Sequence, residues 1–181
     1  TPYFTADQPG FYFFAADTSL LRGPTLFRVY SGFPKVNANS LMRDALRYIT
    51  SSKEFQLLNS YEIPKMAVDS FWIVNSGRSD LATELIRKYY MRVETANELF
   101  TSFTEGWKTD RGMVYIVLGK PTKVFRSFGQ ELWIYGQVDD IHAMRFYFNK
   151  AINPFSENDY VLIRNENYKS FWYQNVQLWR R

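Results

Sequence analysis

The stretch SDLATELIRKYYMRVETANELFTSFTEGWKTDRGMVYIVL, Ser79 to Leu118, decides the fold, because its apolar period changes partway along. From Ser79-Asp80, read as an N-cap, Leu81, Leu85, Tyr89, Val93, Ala96, Phe100 and Phe103 recur every three or four residues. That is the period of one face of an α-helix. Glu84, Arg87, Lys88, Arg92, Thr95 and Glu98 fall on the opposite face, with Glu84 and Lys88 at the favourable spacing of four. Beyond Gly106 the run Met113 to Leu118 is continuously apolar and rich in β-branched residues, which predicts a strand.

Upstream, two shorter helices are expected. One is capped by Ser52 and runs through Glu54, Phe55, Leu57 and Leu58. The other has Pro64 in its first turn, where the missing amide costs nothing, and runs through Met66, Val68, Phe71 and Trp72 to Asn75-Ser76-Gly77. Before them, Phe11–Ala15 and Leu26–Tyr30 are aromatic runs bounded by Gly and Pro, which reads as a β-hairpin. A lone hairpin is marginal in water, so residues 1–36 are expected to be the end of a preceding β-sandwich. Downstream, Lys123–Arg126, Glu131–Tyr135, Met144–Phe148 and Tyr160–Ile163 are strand candidates separated by turns too short for parallel crossovers, hence an antiparallel meander. From Asn165 the spacing of Tyr168, Trp172, Val176 and Trp179 predicts a terminal helix over one sheet face. The expected class is α+β: a hairpin at 1–36 and an α+β domain at 37–181, divided into a helical part 37–104, a sheet 105–163 and a terminal helix 165–181.

Composition narrows function. The 181 residues contain no cysteine and a single histidine, His142, so cysteine or multi-histidine zinc sites and redox dithiols are excluded. Net charge is +4, with basic and acidic residues interleaved, and nucleic-acid binding would need the cations gathered on one face. No apolar run approaches the roughly 20 residues of a membrane helix. The chain opens without Met or a signal sequence, as expected of a piece excised from a longer, processed protein. Phe, Tyr and Trp number 16, 13 and 5, or 19% of the chain. Most of these rings should be core. The surplus in the terminal stretch, Phe171, Trp172, Tyr173, Trp179 and Arg180, is of the residue types enriched at protein contacts. Sugar stacking is the weaker reading of those rings.

Arg92-Val93, Ala96-Asn97-Glu98, Phe100, Gly106 to Gly112, Tyr115-Ile116, Gly119-Lys120-Pro121 and Glu131 to Tyr135, with Asp69, Phe71 and Trp72 upstream, resemble the GWxTD domain over roughly residues 45–163. The resemblance implies an exported or lipid-anchored bacterial protein, notably of Bacteroidota, periplasmic or outer-membrane-associated, with a β-rich region ahead of the domain. It brings no established activity. Thr122 stands where the family commonly has Asp, and Phe155 to Asp159 replaces a more glycine-rich turn.

Physically, Gly106 reads as a left-handed helix end and Trp107 as a plug in the helix–sheet seam. Thr109 and Asp110 read as side chains bonding nearby amides. Arg111 is expected to pair with Asp110, Glu94 or Glu98, and Gly112 to let the first strand pass a neighbour. The functional alternative gathers Glu98, Asp110 and Arg111, beside Asn97, into a polar cluster lining a pocket. His142 with Asp139 and Asp140 reads as a solvated loop rather than a metal site. Glu131 reads as an edge-protecting acid, and a carboxylate hydrolase would need Glu98, Asp110 and Glu131 side by side in one cleft. No catalytic residue, cofactor or metal is assigned. The expected role is a non-enzymatic interaction or structural domain of the cell envelope. Its partner would be another protein or another domain of the parent chain, with membrane association only through a lipid anchor outside this sequence.

Overall fold

A computed structural model describes residues 3–17, 19, 23–77 and 79–180, with Ser79 described by its backbone alone, so its capping role lies outside the described residues. In chain order the elements are β1 (Gly10–Phe13), β2 (Thr25–Arg28), α1 (Asn39–Ala45), α2 (Ser52–Asn59), α3 (Pro64–Ser76), α4 (Ser79–Phe100), α5 (Asp110–Leu118), β3 (Lys123–Arg126), β4 (Gln130–Tyr135), β5 (Met144–Lys150), β6 (Tyr160–Leu162) and α6 (Tyr168–Gln177). The class is α+β, as expected. Among the described residues, no helix is long and apolar enough to cross a membrane.

Local chemistry explains the ends of α2 and α3. α2 is capped by Ser51 rather than Ser52: the Ser51 hydroxyl accepts from the Glu54 amide at 3.3 Å, and the Glu54 carboxylate accepts from the Ser51 amide at 2.8 Å. α3 has Pro64 at its start and closes on Gly77 in the left-handed conformation, φ 64°. α4 presents Ala82, Tyr89, Tyr90, Val93, Ala96 and Phe100 to the core and packs against α3 and α5. The Tyr89 hydroxyl donates to the Ala45 carbonyl at 2.6 Å and Tyr90 to that of Met42 at 3.0 Å, fastening α1 to the same face.

Two expectations along α4 are corrected. The helix stops at Phe100, so Phe103 falls beyond it and is largely exposed. Arg92 is not on a free outer face. It donates to the carbonyls of Ile116 and Val117, both at 3.1 Å, at the end of α5, where cations complement the helix dipole.

The larger correction concerns Met113–Leu118, which is the body of helix α5 and not a strand. A continuous apolar run cannot by itself separate a buried helix from a buried strand. The cap decides it: the Thr109 hydroxyl accepts from the Gly112 amide at 3.0 Å, and Asp110 stands in the first turn. Arg111, Gly112, Val114, Ile116 and Val117 are all buried and no residue of the helix is exposed, so it is enclosed.

The meander therefore has four strands in the order β3-β4-β5-β6, all antiparallel. Val124, Trp133, Phe146, Phe148 and Leu162 share the face turned to the helices. Trp133 joins the layers, its ring 5.3 Å from Phe100 on α4 and 5.0 Å from Phe148. α6 covers the same sheet face, with Tyr168 4.5 Å from Phe146. The β1–β2 hairpin pairs Gly10 with Arg28 through Phe13 with Thr25. It meets the rest of the chain where the Phe11 and Phe13 rings lie 5.0 and 5.2 Å from Phe155.

Candidate functional site

The motif residues lie at a junction where α4, α5, the sheet and the segment after the hairpin meet. Gly106 opens a short 3-10 turn, Gly106–Lys108, that packs on α4 and α5. It is not left-handed. A Cβ built on it would lie 1.9 Å from the Ala96 carbonyl oxygen, so a side chain is excluded by close approach. Gly112 repeats the device, its Cβ position lying 1.9 Å from the Gly106 carbonyl oxygen, and it faces a 3-10 turn rather than a strand. Trp107 is buried in the helical layer, edge-on to Tyr48 at 6.2 Å. The seam that it was expected to plug is filled by Trp133.

Asn97 is the hub of this junction. Its amide donates to the Pro34 carbonyl at 3.0 Å and the Tyr30 hydroxyl at 3.2 Å, while its oxygen accepts from the Trp107 amide at 3.1 Å. One buried side chain thus ties residues 30–34 to α4 and to the motif. Thr109 caps α5 and donates to the Gly106 carbonyl at 2.8 Å. Asp110 reaches across to the sheet: it accepts from the Leu162 amide at 2.7 Å and from Arg164 at 2.6 Å.

Arg111 does not pair with Asp110, Glu94 or Glu98. It is 4% exposed and bonds Glu131, also 4% exposed, at 3.3 Å. Its other terminal nitrogen donates to the Asn158 carbonyl at 2.8 Å and to the Asn158 side-chain oxygen. The guanidinium lies 4.3 Å from the Tyr160 ring and 5.1 Å from that of Phe100. Glu131 is on an inner strand, so edge protection does not describe it. It also accepts from Arg126 at 3.1 Å and from the Trp133 indole at 3.0 Å. Burial pulls the Arg111 pKa below its ordinary value, opposed by Glu131 and assisted by repulsion from Arg126. No motif in the sequence singles out Asn158. Its amide donates to the Leu99 and Thr101 carbonyls at 3.2 and 2.9 Å, capping α4 from a distant loop.

The three acids do not converge. Glu98 is exposed on α4, Asp110 serves Leu162 and Arg164, and Glu131 serves two arginines. A cleft of about 730 Å³ is lined by Arg111, Glu131 and Arg126 but by neither Glu98 nor Asp110. His142 sits in an exposed turn in which its amide donates to Asp140 at 2.8 Å. Among the described residues, no group of three potential metal ligands is assembled.

The terminal aromatic residues divide. Trp179 is buried, 5.1 Å from the Tyr89 ring, its indole donating to the Val117 carbonyl at 3.1 Å. Arg180 turns inward to Glu54 and the Ile49 carbonyl. Phe171 packs beside Tyr135 and Phe146. These three are committed to the chain's own packing, because the helix ends over α5 and α2 rather than over solvent. Tyr173 is exposed and Trp172 half-buried against the core, and both line a groove of about 640 Å³ with Tyr48, Phe146 and Tyr168.

The Arg180–Glu54 pair has a pH signature. The guanidinium holds the Glu54 pKa down to about 2, against burial that would raise it. A folded-state pKa below the unfolded one adds stability that is present above the unfolded value, near 4.3, and is lost as pH falls through the folded value. With Glu54 about one-third exposed, solvent screening holds the contribution to about 1 kcal/mol. Urea melts of the wild type and Glu54→Gln should differ by that amount at pH 7, and the difference should shrink below pH 4 and vanish below pH 2.

A further apolar surface lies on the outer face of the sheet. Phe125, Leu132 and Tyr147 are direct cross-strand neighbours, and the Ile163 amide donates to the Tyr147 carbonyl at 2.8 Å. They form one row across the sheet, with Phe125, Tyr147 and Ile163 each more than 40% exposed. Alternation in the strands predicts this row once the inner face is known, but not that it is uncovered.

No curated protein and no solved structure matches the chain. The family model of the GWxTD domain matches residues 10–181, and so takes in the hairpin as well as the motif. By that match over nearly its whole length, the chain belongs to the GWxTD domain family.

Proposed function

We propose that the chain is a non-enzymatic protein-interaction domain of an exported bacterial cell-envelope protein, and that its partner is another protein or another domain of the parent chain. The observation that carries this reading is the row Phe125, Leu132, Tyr147 and Ile163, with Val161 beside it, on the sheet face opposite the helices. Contiguous exposed apolar surface of this kind marks a contact site. Lys123 and Arg145 stand on the same face beside the row, paired in register with Ile134 between them. A partner with apolar side chains flanked by carboxylates fits it, whereas another basic-rimmed surface does not.

The motif residues support the non-enzymatic side of the reading. Asn97, Thr109, Asp110, Arg111 and Glu131 all hold backbone segments or one another. The envelope setting rests on the company that the family resemblance implies.

The test places a photo-crosslinking residue at Tyr147 in the full-length protein in its native cells, with Glu84 on the exposed side of α4 as the control position. Discrete protein adducts at 147 and none at 84 are expected. Absence of adducts at 147, or equal labelling at both positions, overturns the interaction role of this face.

A further inference from the structure

We propose that the cleft between the end of α4, the first turn of α5 and the β3–β4 pair binds a small organic oxyanion, a carboxylate or phosphate monoester carried on an apolar or aromatic body. Its volume, about 730 Å³, is that of a small-molecule site. Phe100, Tyr115, Trp133 and Tyr160 supply flat apolar wall, and Arg111, Arg126, Lys120 and Lys123 supply cations.

The charge within the cleft does not balance. Glu131 alone faces Arg111 and Arg126, while Glu157, the other acid of the lining, is paired with Lys150. Lys120 is exposed at the margin and has no ion pair among the described residues. A structural pair would be complete with Arg111 and Glu131. Arg126 repels the buried guanidinium over that balanced pair, and an anion in the cleft would offset it.

The second observation is a donor without an acceptor. Arg111 is 4% exposed, and its Nε–H, itself buried, has no partner among the described residues although its terminal nitrogens are bonded. Buried N–H groups are rarely left unmet, and of those unmet here the Trp72 and Trp107 indoles do not line the cleft, whereas Arg111 does. Guanidinium and ammonium groups only donate, so the ligand must accept, and its negative charge must exceed what Glu131 already provides. The rings on either side of the guanidinium suit a flat body better than a bare inorganic ion.

The test is a titration of the ¹⁵N-labelled chain with benzoate, phenyl phosphate and neutral benzyl alcohol, followed through the Arg111 Nε–H resonance and the Lys120 and Thr122 amides. At least one oxyanion should shift these signals saturably while benzyl alcohol does not. The preferred probe assigns carboxylate or phosphate. Lys120→Glu, on an exposed residue, should leave the thermal transition unchanged and weaken binding about tenfold. Equal binding of benzyl alcohol, no saturable shift with either oxyanion, or unchanged affinity in Lys120→Glu overturns the proposal.

Discussion

Gly106→Ala and Gly112→Ala should each destabilise the chain by about 3 kcal/mol or more, at the upper end of overpacking penalties. In a domain of this size that lowers the thermal midpoint by roughly 10 °C. The reason is what the new methyl would meet. At position 106 it would lie 1.9 Å from the Ala96 carbonyl oxygen and 2.7 Å from its carbon, and at 112 it would lie 1.9 Å from the Gly106 carbonyl oxygen. All of these are backbone atoms, so no side chain can rotate away. The two glycines stack α4, the 3-10 turn and α5 against one another, and a shift at either loosens the cap of α5 and the Asn97–Trp107 bond together. Gly129→Ala is the internal control: its Cβ would meet nothing within 4 Å and its φ is not left-handed. It should change stability by less than about 0.5 kcal/mol. Thermal melts of the three variants decide the matter. A Gly106→Ala protein as stable as Gly129→Ala would mean that the turn does not sit on α4 as described.

These glycines also show what a single sequence discloses. Gly106 is legible as a residue that must be glycine, but its reason depends on a carbonyl ten residues away and cannot be read locally. Gly77 is different: a glycine following the apolar pattern of α3 is a helix stop, and its left-handed φ of 64° is the local consequence. Strands β3 to β6 are legible because alternation and turn residues are local signals. Met113–Leu118 is not, since burial on all sides erases the period that would separate helix from strand. The better signal was Thr109-Asp110 immediately ahead of it, which suits an N-cap as well as a turn. Glu131 was partly legible. It stands two residues before Trp133 on one strand and so shares the face of a core residue, where an acid requires a buried cation. Which cation, and the role of Asn158 from a loop beyond β5, only the assembled fold can supply.

Breaking the Arg111–Glu131 pair should be costly from one side and less so from the other, and the two losses should not add. In Glu131→Leu, Arg111 stays buried with only Asn158 as polar partner and with Arg126 still repelling it. An uncompensated buried charge of this kind costs about 3–5 kcal/mol. In Arg111→Met, Glu131 keeps Arg126, whose side chain is largely exposed, and the Trp133 indole, so about 1–3 kcal/mol is expected. The double variant leaves neither charge stranded, and the coupling in the cycle should reach about 2 kcal/mol. Arg111→Lys should rescue little. A single ammonium nitrogen does not span from Glu131 to Asn158 as the two terminal guanidinium nitrogens do, and it loses the planar stacking on Tyr160. Denaturant melts at pH 7 supply all four values. Strict additivity of the two single changes would remove the pair as the pin between α5 and the sheet, and would leave Asp110, through Leu162 and Arg164, to carry that junction alone.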